Sequence, residues 1–334
     1  MKRFFLLSGL ALGLLSCNNQ EATPDVSHIK LAVEVQHFED DFFAMDTTQL
    51  EVSIQALNQK YPGFTTDFLS NILELMPQRE AADLKGFYKA YQPLYKSSAA
   101  IFKKQNEEVS NIKNGLQLVK YYFPQYVLPK KLITFVGPVN SFASIITEDA
   151  IAIGLQLFMG KDHPLYTSEQ GQILYPAYIS RRFEPEYIPV SAMNAIVMDL
   201  YPGQYFGKPL IVQMVESGKR IYLADHLLPS TADSLIIGYQ QKQLDACYSN
   251  EKNIWAFFVQ NDMLYKTDPQ LIREYVTDGP FTNALGKDSP GNIGQFVGWQ
   301  IVKKWAAKNK GISMDSLMKK DPIKLFEESR YKPG

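Results

Sequence analysis

The feature that most constrains this chain is how little of it reads as strand. Alternating or short continuous apolar runs occur at Lys30–Gln36, Leu132–Val136, Phe142–Thr147 and Ala150–Leu157. From about Asp46 to Tyr122, and again from about Gln172 onward, the apolar residues recur at helical spacing. So few strands make only a small sheet, and the helices must cover it. The expected fold class is α+β, helix-rich, with a small central sheet packed by helices. Turn signals at Tyr61-Pro62-Gly63, Met76-Pro77, Gln92-Pro93 and Phe123-Pro124 predict where the first helical region breaks. The chain has no internal repeat, no run of five like charges and no Gly/Ser linker. Residues 30–334 therefore read as one domain. At 46% hydrophobic and 13% aromatic, the chain has ample material for a core, which excludes a disordered protein. Lys and Arg (34) balance Asp and Glu (35), so nothing points to a nucleic-acid partner.

The N-terminus reads as an address. Met1-Lys2-Arg3 precedes an uncharged apolar run, Phe4–Leu15, and then Ser16-Cys17. That is the anatomy of a secretory signal, and the apolar run is too short for a span of about 20 residues. Leu14-Leu15-Ser16-Cys17 resembles a bacterial lipobox, which predicts a signal peptide over 1–16 and acylation of Cys17. Residues 17–29 read as a polar tether. Asn18 follows the cysteine in place of the aspartate that marks inner-membrane retention, which favours the outer membrane. Once Cys17 is acylated, Cys247 is the remaining thiol, and it reads as a buried apolar residue.

Three C-terminal helices are the most legible elements. The first runs from about Pro189 to Tyr201 and stops at Pro202-Gly203. The second starts near Pro209 and continues through Gly218 and Tyr222. The third is predicted to start at Ser289-Pro290, with Ile293, Val297, Ile301 and Trp305 in one row and Gly294 and Gly298 in the next. Glycines four apart lower helix stability by roughly 1 kcal/mol each. They predict either a close helix–helix contact or the floor of a groove.

The sequence carries few motifs of known chemistry. The chain lacks G-x-S-x-G, a Walker loop and a strand-preceded G-x-G-x-x-G. Of His28, His37, His163 and His226, no two stand at i and i+4, so the two-histidine helix of a zinc peptidase is missing. The nearest approach to a ligand set is Glu34, His37 and Asp41, but the Glu39-Asp40-Asp41 run reads as solvated charge at a helix start. Glu184 and Glu186 flank Pro185, and Asp199 and Glu216 lie on different helices; all four read as surface charge. No catalytic, metal-ligating or cofactor-binding residue is nominated.

Four strings carry a resemblance. They are Ala152-Ile153-Gly154-Leu155-Gln156-Leu157-Phe158-Met159-Gly160-Lys161-Asp162; the run from Tyr178 through Ser180-Arg181-Arg182-Phe183-Glu184-Pro185-Glu186-Tyr187 to Val190; Gly218-Lys219-Arg220-Ile221-Tyr222-Leu223; and Ser289-Pro290-Gly291-Asn292-Ile293-Gly294-Gln295-Phe296-Val297-Gly298-Trp299-Gln300-Ile301-Val302. With the lipobox, the chain resembles the gliding motility lipoprotein GldB family of Bacteroidetes over nearly its whole length. The resemblance implies an envelope protein needed for gliding and the associated secretion machinery, with other proteins of that apparatus as partners and the membrane engaged through the lipid. The family also looks distantly like gluzincin-type zinc peptidases, which implies a degenerate peptidase frame. Where such a frame carries histidines, this chain has Met193/Val197, Asn194/Met198 and Ala195/Asp199. Ser217 stands where a glutamate would precede glycine, with Glu216 beside it. The expectation is therefore a non-catalytic binding protein, with Gly154, Asn194, Glu216, Gly294 and Gly298 as candidate groove residues. Ala150–Leu157 is the expected sheet edge for an extended partner chain. The alternatives are an envelope metal-dependent peptidase or cell-wall hydrolase, and a small-ligand-binding lipoprotein.

Overall fold

The computed structural model describes residues 23–76, 79–102, 106–203, 205 and 207–334. The predicted signal peptide 1–16 and the acylation site Cys17 lie outside the described residues. A four-stranded sheet has the order β1-β2-β4-β3, with β1 at Glu34–His37, β2 at Lys131–Phe135, β3 at Ser144–Ile146 and β4 at Ala150–Gly154. β1, β2 and β4 are parallel, with Val35 opposite Leu132 and Thr134 opposite Ile153; β3 runs antiparallel to β4, with Ile145 opposite Ala152. Every residue of β4 is buried. That corrects the expectation of an edge at Ala150–Leu157: the strand lies between β2 and β3. Its run of apolar side chains, without polar alternation, is what a strand covered on both faces requires. Beyond Gly154 the chain leaves the sheet in a 3₁₀ turn, Leu155–Leu157.

β1 passes directly into helix α1, Phe38–Phe43. Phe38 and Phe42 turn inward to meet Phe64 and Phe68, with ring centroids 4.8 Å (Phe38–Phe68) to 5.1 Å (Phe42–Phe68) apart, and Phe64 and Phe68 in turn meet Phe135 of β2 at 5.9 and 6.0 Å. Such ring pairs each add about 0.5–1.5 kcal/mol beyond their buried area. Helix α2 spans Glu80–Ile101 and runs through Pro93, where the sequence predicts a break. Interior proline costs about 3 kcal/mol. Residues on both sides of the proline pack on the same ring: Phe43 meets Tyr88 at 5.6 Å and Tyr95 at 4.8 Å. Helix α3, Asn106–Tyr122, buries Ile112, Leu116 and Val119. Its Gln117 amide donates to the Ile29 carbonyl at 2.7 Å, and Val26 is in the core. The packed body therefore begins before residue 30. A single valine among polar residues hides this from the sequence pattern.

The C-terminal helices are α4 at Ile188–Leu200, α5 at Leu210–Leu227 and α6 at Ile293–Lys308. α6 does not start at Ser289-Pro290. The Ser289 hydroxyl instead bonds within a turn, to Gly286 at 2.6 Å and the Thr282 backbone at 3.1 Å, and Asn292 enters the helix in a left-handed conformation. α5 and α6 cross backbone to backbone. A Cβ on Gly298 would overlap the Met214 carbonyl group, and one on Gly218 would overlap the Gly298 carbonyl group. One of these glycines sits on each helix, so the pair sets how closely the helices approach. The Lys219 ammonium, also buried, donates to Glu216 at 2.8 Å and to the carbonyls of Met318 and Lys320, which ties the end of the helix Met314–Lys319 to α5. Cys247 is buried, and burial pushes its thiol up to about 12.

Candidate functional site

The carboxyl ends of parallel strands are where the main chain diverges into loops and side chains converge. Here β1 ends at His37 and β2 presents Thr134. Because α1 follows β1 without a loop, Glu39 turns back over the strand end beside its own His37. Glu39 is 5% exposed, which corrects its reading as solvated charge. The Thr134 hydroxyl lies 2.8 and 2.9 Å from the two Glu39 oxygens and donates to that carboxylate. His37 Nδ1 sits 3.0 Å from Thr134 Oγ1 and 3.3 Å from Glu39 Oε1. With the one hydroxyl proton directed at Glu39, the ring nitrogen is the donor to both oxygens. The bond to Glu39 is the main reason the His37 pKa is raised above its ordinary value, against the opposing effect of burial. Around this core, Tyr95 donates to Asp40 at 3.0 Å, while Tyr61 and Lys60 both bond Asp41.

Ligand atoms of His37, Glu39 and Asp40 lie within 4.8 Å of one another, close enough to share one divalent cation. This trio differs from the Glu34, His37 and Asp41 set that the sequence spacing brings together. The sequence signal is H-x-E-D at a strand-to-helix junction; spacing alone favours Glu34 and Asp41 instead, and Glu34 bonds Gln36. The observed network is a protonic one, however. A cation binding at Nδ1 would have to displace its proton, and Asp40 already accepts from Tyr95.

A second histidine behaves oppositely. His163 Nδ1 accepts from the Leu165 N–H at 3.1 Å, capping the short helix Pro164–Thr167, and its Nε2 lies 3.0 Å from the Ser97 hydroxyl. Burial holds its pKa below the ordinary 6.5. The unfolded chain takes up this proton first, so His163 withdraws stability as pH falls from 6.5 through its folded value. His37 contributes stability that is full below 6.5 and lost as pH rises through its folded value. NMR titration should therefore place the two midpoints on opposite sides of 6.5. His163→Asn, which retains a capping oxygen, should hold neutral-pH stability within about 1 kcal/mol and flatten the acid-side loss. Two midpoints on the same side would contradict this geometry.

The open edge of the sheet beside α4 is β3. Ala143 accepts from the Gly154 N–H and the Thr147 N–H donates to Ala150, both at 2.9 Å. In an antiparallel pair this directs the N–H and C=O of Ser144 and Ile146 away from β4. They have no backbone partner among the described residues. α4 lies alongside, with Ser191 Oγ 2.8 Å from Ser144 Oγ.

The nominated groove residues do not share one surface. Gly294 and Gly298 meet a common neighbour, Met214, in the filled crossing of α6 with α5. Gly154 abuts Phe142 and the buried side chain of Gln156, Glu216 is held by Lys219, and Asn194 is exposed on α4. Its helix neighbours Met193 and Val197 are core residues. Asp199 and Glu184 are bonded to Tyr126 and Lys161.

Residues 19–333 match the family model described as gliding motility protein GldB. No curated protein and no solved structure matches the chain. No described helix is long and apolar enough to cross a membrane. The matched span takes in the sheet, the His37–Glu39–Thr134 network and the α5–α6 crossing, so the chain belongs to the gliding motility protein GldB family.

Proposed function

We propose that this chain is a lipid-anchored envelope component of the gliding machinery and works by holding other envelope proteins, without catalysis. The observation that carries the reading is the family match over 19–333, which begins two residues after the lipobox Leu14-Leu15-Ser16-Cys17. Binding is favoured because the charged groups at the strand ends are engaged with one another and because β3 offers open main-chain groups at Ser144 and Ile146. β3 takes the place of Ala150–Leu157 as the edge an extended segment could join. The strand is short, so such pairing would supply only a few hydrogen bonds, and side chains of α4 would have to add selectivity.

The test is a photo-crosslinking residue placed at Ser144, or at the exposed Ile173 as a control, in gliding cells. Adducts from Ser144 to envelope proteins whose loss stops gliding are expected, with few from Ile173. Equal yields from both positions would contradict the edge as the binding surface. The rival, an envelope metal-dependent peptidase or cell-wall hydrolase, draws on the His37–Glu39–Asp40 trio alone. It would gain from stoichiometric metal in the purified protein together with turnover lost in His37→Gln.

A further inference from the structure

A cavity of about 620 Å³ opens among α3, the Gly160-Lys161 turn, the segment leading into α4 and the stretch before Gln241. Its walls include Glu108, Lys161, Arg181, Glu184, Tyr187 and Gln240. This is the Ser180–Glu186 string singled out in the sequence, which neither the strand-end network nor the β3 edge uses.

Arg181 is the anomaly. Its guanidinium donates to the Gly238 carbonyl at 2.9 Å and to the Gln243 side-chain oxygen at 3.3 Å, both neutral acceptors. Its Nε–H has no partner, and among the described residues no carboxylate lies within ion-pair distance. The carboxylates beside it are taken: Asp278 by Arg182, and Glu184 by Lys161, whose ammonium it meets at 2.9 Å and whose backbone N–H it accepts at 3.2 Å. A part-buried guanidinium held only by neutral acceptors gains from an anion reaching its remaining N–H groups. The same cavity carries the opposite imbalance. Glu108 and Glu186 also line it and have no cationic partner among the described residues. The lining thus holds an arginine without a carboxylate and two carboxylates without a cation, with Tyr187 and Gln240 as neutral hydrogen-bonding groups beside them.

We propose that this cavity binds a zwitterionic amino compound, its carboxylate against Arg181 and its ammonium toward Glu108 and Glu186. Arg181 suits the first task because a guanidinium has five N–H donors and only two are engaged here. A volume of this size holds a free amino acid or the end of a short peptide. The two sources share the recognising chemistry and are separated by the probes below.

The test is calorimetric titration of the full acylated chain in detergent with L-alanine, dialanine, L-alaninamide and sodium acetate. Alanine or dialanine should bind at least about tenfold more tightly than alaninamide, which lacks the carboxylate, and than acetate, which lacks the ammonium. Tighter alanine assigns a free amino acid, and tighter dialanine a peptide end. Arg181→Gln should weaken the better probe about tenfold or more. Glu186 is exposed, so Glu186→Gln keeps the fold and should also weaken it, by about threefold. Failure of both alanine and dialanine to bind, equal binding of alaninamide, or unchanged binding by both variants would overturn the proposal.

Discussion

Gly298→Leu should yield no folded protein, and Gly298→Ala should lower stability by about 3 kcal/mol or more. The reason is what a new Cβ would meet. At Gly298 it would overlap the carbonyl carbon and oxygen of Met214, which are helix backbone and cannot rotate aside. Relief requires α5 and α6 to separate, and that would open the layer holding the buried Met214, Val215, Phe296, Trp299 and Val302. Gly218 makes the reciprocal contact with the Gly298 carbonyl, so Gly218→Ala should fail in the same way. Gly86 is the contrast. It is exposed on α2, with nothing within 4 Å of where an added methyl group would sit, and Gly86→Ala should stabilise by up to about 1 kcal/mol through helix propensity. Urea midpoints of the three alanine variants against the parent decide it. A Gly298→Ala midpoint equal to the parent's would show that the crossing is not as close as described.

This crossing is legible in the sequence only as a choice. Gly294 and Gly298 announce that something approaches α6 closely, but spacing alone does not distinguish a helix from a ligand. The partner glycine, Gly218, is eighty residues away in sequence and carries no mark of its own. The three C-terminal helices are readable because apolar rows, Pro209 and Pro202-Gly203 coincide with their ends. The start of α6 is not, because Ser289 and Pro290 mimic a cap while the serine hydroxyl bonds within a turn. Pro93 misleads for the opposite reason: tertiary packing, including Tyr88 and Tyr95 on Phe43 from either side of the proline, offsets a local penalty that the sequence displays plainly. β4 is found by its pattern but misplaced. Its uninterrupted apolar run is itself the sign of an interior strand, and the less apolar Ser144–Ile146 is the sign of the edge. The strand-end network escapes the sequence because Glu39 belongs to a run of three acids that looks like surface charge. Only the direct passage of β1 into α1 rotates one of them into the body.

The functional account depends on the membrane anchor and on contacts made there. Each methylene buried in the bilayer contributes about 0.8 kcal/mol; one acyl chain holds a protein only marginally, whereas two or more hold it in effect permanently. Acylation at Cys17 would therefore confine the packed body, which the structure describes from residue 23 onward, to within a short chain's reach of the membrane. Confinement raises the effective concentration of every weak contact with other anchored proteins. A short edge such as β3 is usable under those conditions and much less so in free solution. Losing the anchor should then abolish function while leaving the fold intact, a combination that a core substitution such as Gly298→Ala does not produce.

The decisive measurement is expression of Cys17→Ala in cells lacking the parent gene, with fractionation and gliding scored on the same culture. A folded protein absent from the washed membrane fraction and cells that do not glide are expected. Persistence of Cys17→Ala in the washed membranes, or gliding restored to the parental level by the released protein, would contradict the membrane-anchored role.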